Sequence, residues 1–214
     1  MKTAILFDMD GVTLNTEPLY TQAEIRLFAD YDITINKDDT SRFKGCSEED
    51  FYKLSMQYYN INENIDIFIN KGRLYVKEAF QDQVSYMPGF ISLITRIKKN
   101  HLIGLVTASP RNHLKWIRTI INLDYYFNSI ISGQETPHNK PYPDPYLKMM
   151  QILNVRPNNC IVIEDSIPGI TSALEAGTTV IALEGTAPKE QLAIAHHIVA
   201  NLSEITDEYI KNLL

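Results

Sequence analysis

The chain has 214 residues with a formal net charge of −6, and 44% of them are hydrophobic against 21% charged. That suits one sizeable globular core with room for a smaller attachment. The acidic balance argues against nucleic acid or an anionic membrane as partner, because phosphate backbones are gripped by clustered Lys and Arg; one local positive pocket still suffices for a small anion.

In chain order, the first apolar run is Ala4–Phe7, short and ending in Asp8. It suits a strand buried on both faces and is too short for a signal peptide. No stretch approaches the roughly 20 apolar residues that cross a bilayer, so a cytoplasmic location is the expectation. From about 16 to 86 the composition shifts toward Tyr, Asn, Asp and Glu, with helical spacing near 17–30, 47–59 and 62–80 and no run that reads as a buried strand. This segment is expected to be a helical domain inserted after the first strand. Tyr86-Met87-Pro88-Gly89 marks the return, because Pro and Gly punctuate elements.

Further apolar runs follow at Leu102–Val106, 130–131, 161–163 and 180–183. Helical patterns lie between them at 89–100, 111–121, 143–154, 167–176 and 188–195, and a closing helix is expected over 203–214. Strand and helix alternating at this interval predict an α/β fold, a Rossmann-like parallel sheet with helices on both faces. The expected division is therefore a core of 1–15 and 87–214 and a helical domain of 16–86. The two cysteines, Cys46 and Cys160, lack a metal-ligand spacing, and Cys160 opens an apolar run as a buried thiol would. Trp116 with Leu114, Ile117, Ile120 and Ile121 reads as the buried stripe of a helix. Tyr52, Tyr58, Tyr59 and Tyr75 read as packing of the inserted helices, and His196-His197 as surface.

Ligands of open parallel sheets bind beyond the carboxyl ends of the strands. Those ends carry Asp8-Met9-Asp10-Gly11, Thr107-Ala108-Ser109, Lys140 after a longer lead, and Glu164-Asp165. An isolated pair such as Asp8 and Asp10 can simply be a solvated strand end. Here it ends the most apolar strand, and like charges held close are avoided unless a cation separates them. Asp8, Asp10, Glu164 and Asp165, without thiol or imidazole, match a hard cation, Mg²⁺ foremost. Lys140 offers a point charge for phosphate, Thr107 a hydroxyl, and the amides after Asp8 a nest for phosphate oxygens. Together they point to a transferring phosphoryl group.

With those residues in view, Asp8-Met9-Asp10-Gly11-Val12-Thr13-Leu14 resembles the first signature of the haloacid dehalogenase superfamily of phosphatases and phosphomutases. Val106-Thr107-Ala108-Ser109 is similar to its second motif, Lys140-Pro141-Tyr142-Pro143-Asp144-Pro145-Tyr146 to its third, and Ile163-Glu164-Asp165-Ser166-Ile167-Pro168-Gly169-Ile170 to its fourth. Order and spacing agree over nearly the whole chain, nearest to the β-phosphoglucomutase-like, sugar-phosphate phosphatase branch. The resemblance implies hydrolysis of small phosphomonoesters, with Asp8 as nucleophile, Asp10 as acid and base, and Thr107 and Lys140 on the phosphoryl oxygens. It implies Mg²⁺ held by Asp8, the Asp10 carbonyl and Asp165, with Glu164 in or beside the first ligand set. The inserted helices would form a cap supplying specificity.

Within that cap, Arg42-Phe43-Lys44-Gly45-Cys46-Ser47 resembles the loop whose Gly faces the active site. Substrate contact by Arg42, Lys44 and Gly45, and a solvated helix start capped by Ser47, both account for the stretch. Thr16 and Glu17 at the domain junction, and Ser109 and Asn112 after the second motif, are further candidates for substrate contact. The implied partner is a small phosphate ester and the implied state a monomer.

Two positions depart from the branch. Asn139 stands where Gly usually precedes the third-motif Lys, and Asn tolerates left-handed backbone better than most residues. Tyr20 stands where the branch's mutases commonly present a His, which favours hydrolysis over a β-phosphoglucomutase-type phosphomutase activity. A receiver-type switch shares Asp, Mg²⁺, Thr and Lys but lacks the large helical cap and the second aspartate. Dehalogenation gives the cation site no purpose.

Overall fold

The computed structural model describes residues 2–35, 39, 48–81 and 83–214. The chain divides into two compact units, Met1–Asn15 with Ser85–Leu214, and Thr16–Val84. Among the described residues the first unit is built on one parallel sheet of six strands in the order β3-β2-β1-β4-β5-β6. The strands are β1 Ala4–Phe7, β2 Leu102–Val106, β3 Ser129–Ile131, β4 Cys160–Glu164, β5 Thr179–Leu183 and β6 His197–Val199.

β1 is central, pairing Phe7 with Leu105 of β2 on one side and with Ile163 of β4 on the other. All four of its residues are fully buried, which explains its unbroken apolar run. Side chains alternate across it. Ala4 and Leu6 face a core cluster with Tyr146, Met149 and Met150 of α6 (Asp144–Leu153) and Ile170 and Ala173 of α7 (Ile167–Glu175). On the other side the Phe7 ring meets Phe90 of α4 (Phe90–Ile97) edge-on at 5.7 Å and Phe127 at 6.1 Å. Helices α5 (Arg111–Ile120), α8 (Lys189–Leu192) and α9 (Asp207–Leu213) complete this unit. In α5 Leu114 and Ile117 are buried, while Trp116 is only partly covered, its ring 5.5 Å from that of His113.

β6 is absent from the sequence reading, because an edge strand of three residues carries too few positions for a period to register. It sets His197 in the sheet, and the adjacent His196 accepts the Val180 N–H through Nδ1 at 3.0 Å. The helix foreseen over 188–195 is the single turn of α8, and the closing segment is a 3₁₀ turn, Leu202–Glu204, followed by α9.

The second unit is helical: α1 Glu17–Ala29, α2 Glu48–Tyr59 and α3 Ile65–Phe80. Its core gathers Leu27, Phe28, Ile35, Tyr52 and Phe68, with the Tyr52 and Phe68 rings 5.6 Å apart. Tyr59 and Tyr75 pack against it, whereas Tyr58 is 51% exposed. Ser85 and Tyr86 belong with the sheet unit, since the Asn15 N–H donates to the Ser85 carbonyl and Leu14 bridges Tyr86. No helix among the described residues is long and apolar enough to cross a membrane.

Candidate active site

The site is assembled from the residues that follow β1, β2, β3 and β4. β1 delivers Asp8, whose backbone N–H donates to the Ile163 carbonyl as a continuation of the ladder. The chain then turns at once. The Thr13 and Leu14 amides return to the Met9 carbonyl, the Gly11 amide donates to the Leu14 carbonyl, and Thr13 Oγ1 donates to the Asp8 carbonyl at 2.6 Å. The amides of Gly11, Thr13 and Leu14 are thereby committed inside the loop.

Lys140 reaches this point from the loop after β3. Its Nζ donates to Asp8 Oδ1 at 2.5 Å, Glu164 Oε1 at 2.5 Å and the Val106 carbonyl at 2.9 Å. All three ammonium protons are matched, and the side chain is 4% exposed. The Lys140–Pro141 peptide bond is cis.

Glu164, fully buried at the end of β4, is held from every side. Oε1 also accepts from the Tyr146 hydroxyl at 2.7 Å, while Oε2 accepts from the Asp165 amide at 3.1 Å and from Ser166 Oγ at 3.1 Å. Ser166 caps α7 by accepting the Gly169 N–H. Any Cβ at Gly169 would fall on the Glu164 carboxylate, so the first turn of α7 comes this close only with glycine there. Asp165, 3% exposed, accepts a bond from the Thr186 hydroxyl in the loop after β5.

Thr107 follows β2 and is 2% exposed; its Oγ1 accepts the Ser109 N–H at 3.0 Å. Ser109 in turn donates through Oγ to Asp10 Oδ2 at 3.1 Å. Asn139 does not use left-handed backbone, since the described non-glycine residues with positive φ are Asp32, Asn60 and Asn154. Its side chain bridges two loops instead.

One oxygen from each of Asp8, Glu164 and Asp165 lies within 4.8 Å of the other two, and all three residues are buried. Burial pushes the Asp8 carboxyl up from 3.8 to about 7; Lys140 pulls it down, while Glu164 and Asp10 add to the rise. Burial alone would lower the Lys140 value, but Asp8 and Glu164 more than reverse that and hold the ammonium charged. One ammonium faces Asp8 and Glu164, with Asp165 beside them and Asp10 close enough to act on Asp8, a carboxylate excess that a divalent cation would relieve. The all-oxygen donor set fits Mg²⁺. Both Glu164 oxygens are already engaged, by Lys140, Tyr146, Ser166 and an amide.

The structure therefore gathers Asp8, Lys140, Glu164 and Asp165 into one contact network and joins Asp10 to Ser109. Asn112 is exposed in the first turn of α5. Thr16, buried, and Glu17 open α1 in the helical unit, where the Thr16 carbonyl accepts the amides of Leu19 and Tyr20. Arg42, Lys44 and Gly45 lie outside the described residues. Tyr146 closes the third motif with no role read for it, and Thr186 goes unread in the sequence; only folding brings each hydroxyl to its carboxylate.

The family model described as haloacid dehalogenase-like hydrolase matches residues 5–183. A phosphorylated carbohydrates phosphatase from Thermotoga maritima is 31% identical over 176 residues, covering 81% of each chain. Hexitol phosphatase B from Escherichia coli is 27% identical over 95% of this chain and 94% of its own. Among solved structures, a β-phosphoglucomutase from Clostridium difficile superposes with a TM-score of 0.81 at 26% identity, covering 100% of this chain and 97% of that one.

Proposed function

Because the chain belongs to the haloacid dehalogenase-like hydrolase family, we propose that it is a Mg²⁺-dependent phosphatase of small phosphomonoesters, sugar phosphates foremost, acting through an aspartyl-phosphate on Asp8. The observation that carries this reading is the buried Asp8–Lys140 pair beside Glu164 and Asp165, with Asp10 held by Ser109. An Asp8 oxygen attacks phosphorus in line with the ester oxygen, forming the acyl phosphate as the P–O ester bond breaks. Asp10 gives its proton to the departing alkoxide, then takes one from the water that attacks the same phosphorus and frees Asp8 and inorganic phosphate. Thr107 and Lys140 hold the phosphoryl oxygens, and Lys140 also offsets the charge of Asp8. Asp8, the Asp10 carbonyl and Asp165 would hold Mg²⁺, which when bound neutralises phosphoryl charge.

The names of the T. maritima and E. coli relatives support a phosphorylated carbohydrate or alditol as substrate. A phosphomutase reading is favoured by the full-length likeness to the C. difficile β-phosphoglucomutase. It differs in one step, capture of the phosphoryl group by a sugar hydroxyl rather than water. Tyr20, whose ring packs edge-on against Phe80 at 5.0 Å, is the residue that tells against it.

The test is release of inorganic phosphate from a panel of phosphomonoesters, with Mg²⁺ and with EDTA, by wild type and Asp8→Asn. Metal-dependent release that Asp8→Asn loses is the expected result, and the best ester names the substrate class. An active Asp8→Asn protein would sink the mechanism. No release from any ester, with isomerisation of β-glucose 1-phosphate, would establish the mutase instead.

A further inference from the structure

Asn139 stands directly before Lys140, and its side chain spends both ends of its amide on two different loops. Nδ2 donates to the Ala108 carbonyl at 3.1 Å, and Oδ1 accepts the Lys140 backbone N–H at 2.9 Å. The two partners, one carbonyl and one N–H, fix which way the amide faces. Ala108 lies between Thr107 and Ser109, so the bonded peptide belongs to the loop carrying both hydroxyls. The end of β3 closes around the same point. A Cβ at Gly133 would run into the Ala108 carbonyl and Asn139 Nδ2, and the Gly133 N–H donates to the Ser109 carbonyl at 3.0 Å. Ser109 Oγ then passes the restraint to Asp10.

Resting on the phosphatase reading, we infer that Asn139 is a positioning residue that fixes the Thr107–Ser109 loop against the Lys140 loop and, through Ser109, sets the aim of Asp10. It touches no reacting atom itself. Its effect falls on both proton transfers of Asp10, to the leaving oxygen and from the attacking water, because Ser109 is the end of the chain that reaches Asp10.

The leaving group supplies the test. p-Nitrophenolate departs without a proton, whereas the alkoxide of a sugar phosphate needs one. Wild type, Asn139→Ala and Asn139→Asp are compared with Mg²⁺ on p-nitrophenyl phosphate and on the sugar phosphate that wild type hydrolyses fastest. Asn139→Asp keeps the shape and the acceptor for the Lys140 N–H but loses the donor to Ala108, so it carries the test if Asn139→Ala fails to fold. Both variants should lower kcat/KM, which reports the steps through phosphorylation of Asp8, about 10-fold to 100-fold on the sugar phosphate, with the thermal midpoint near wild type. On p-nitrophenyl phosphate kcat/KM should fall no more than about threefold. An equal loss of kcat/KM on both esters, or wild-type values on both, overturns the positioning role alone. Absence of phosphate release by wild type overturns the phosphatase reading, and this inference with it.

Discussion

The Lys140 ammonium lies 2.5 Å from Asp8 Oδ1 and 2.5 Å from Glu164 Oε1, so one buried cation joins the carboxyl ends of β1 and β4. The two strands are direct neighbours in the sheet, and each ends in an acid at the same level. The cation comes from outside the pair, on the loop after β3. Removing either acid leaves Lys140 paired with the other, whereas removing Lys140 leaves both carboxylates uncompensated.

Lys140→Met strips the ammonium and leaves Asp8 and Glu164 facing each other in a buried site. Loss of one partner from a buried ion pair should lower stability by about 3–5 kcal/mol. Urea midpoints with and without Mg²⁺ check this; the cation should return part of the loss, because it supplies the missing positive charge. Lys140→Arg should not restore turnover, since the planar guanidinium cannot address three acceptors as a compact ammonium does.

Gly169→Ala places a methyl group on the Glu164 carboxylate. Displacing a side chain from a packed, hydrogen-bonded position should cost about 1–3 kcal/mol. Tyr146→Phe removes one bond to the same carboxylate and should cost about 1.5–3 kcal/mol while leaving the site's shape intact. Denaturant titration of both variants separates the two effects. A Gly169→Ala protein as stable as wild type would show that the helix start has room to shift.

Asp8→Asn and Asp10→Asn should both fold, judged by circular dichroism, and both lose turnover by about 10²-fold to 10⁴-fold or more. The variants should differ in trapping. With the nucleophile kept, Asp10→Asn should still label Asp8 with phosphate from an activated ester, whereas Asp8→Asn should not. Intact mass spectrometry of acid-quenched protein reads the difference.

The metal-free protein should respond to pH through Asp8. Its folded value, raised by burial to about 7, lies above the unfolded 3.8, so the folded state holds the proton more tightly. The stability this contributes is complete below about 4 and is lost as pH rises toward 7. Lys140 stays charged throughout that window, its value being raised rather than lowered. Mg²⁺ competes with the proton for Asp8, so the rise in thermal midpoint on adding Mg²⁺ should be larger at about pH 8 than at about pH 5.5. Equal rises at the two pH values would count against Asp8 as a ligand.

The sheet was legible wherever a strand is buried on both faces, as in Ala4–Phe7 and Cys160–Glu164, because an unbroken apolar run has few other homes. It was not legible at β6, where three residues at an edge, two of them half-buried, carry no period. The motif residues were legible for a related reason: Asp8, Thr107 and Glu164 each follow directly on such a run, and a charge or hydroxyl there has to be placed at the sheet's carboxyl end.

By itself, then, the amino-acid sequence determined which groups stand at the carboxyl ends of the strands, since strand pattern and chain direction settle that locally. Tertiary structure alone decided what each group touches. It gave Glu164 to Lys140, Tyr146 and Ser166, brought Thr186 to Asp165, and used Asn139 as a bridge between loops rather than for its backbone freedom. Apart from Glu164 with Ser166, those pairings join residues far apart along the chain, and a hydrogen bond forms only when packing brings donor and acceptor within about 3 Å in the right direction.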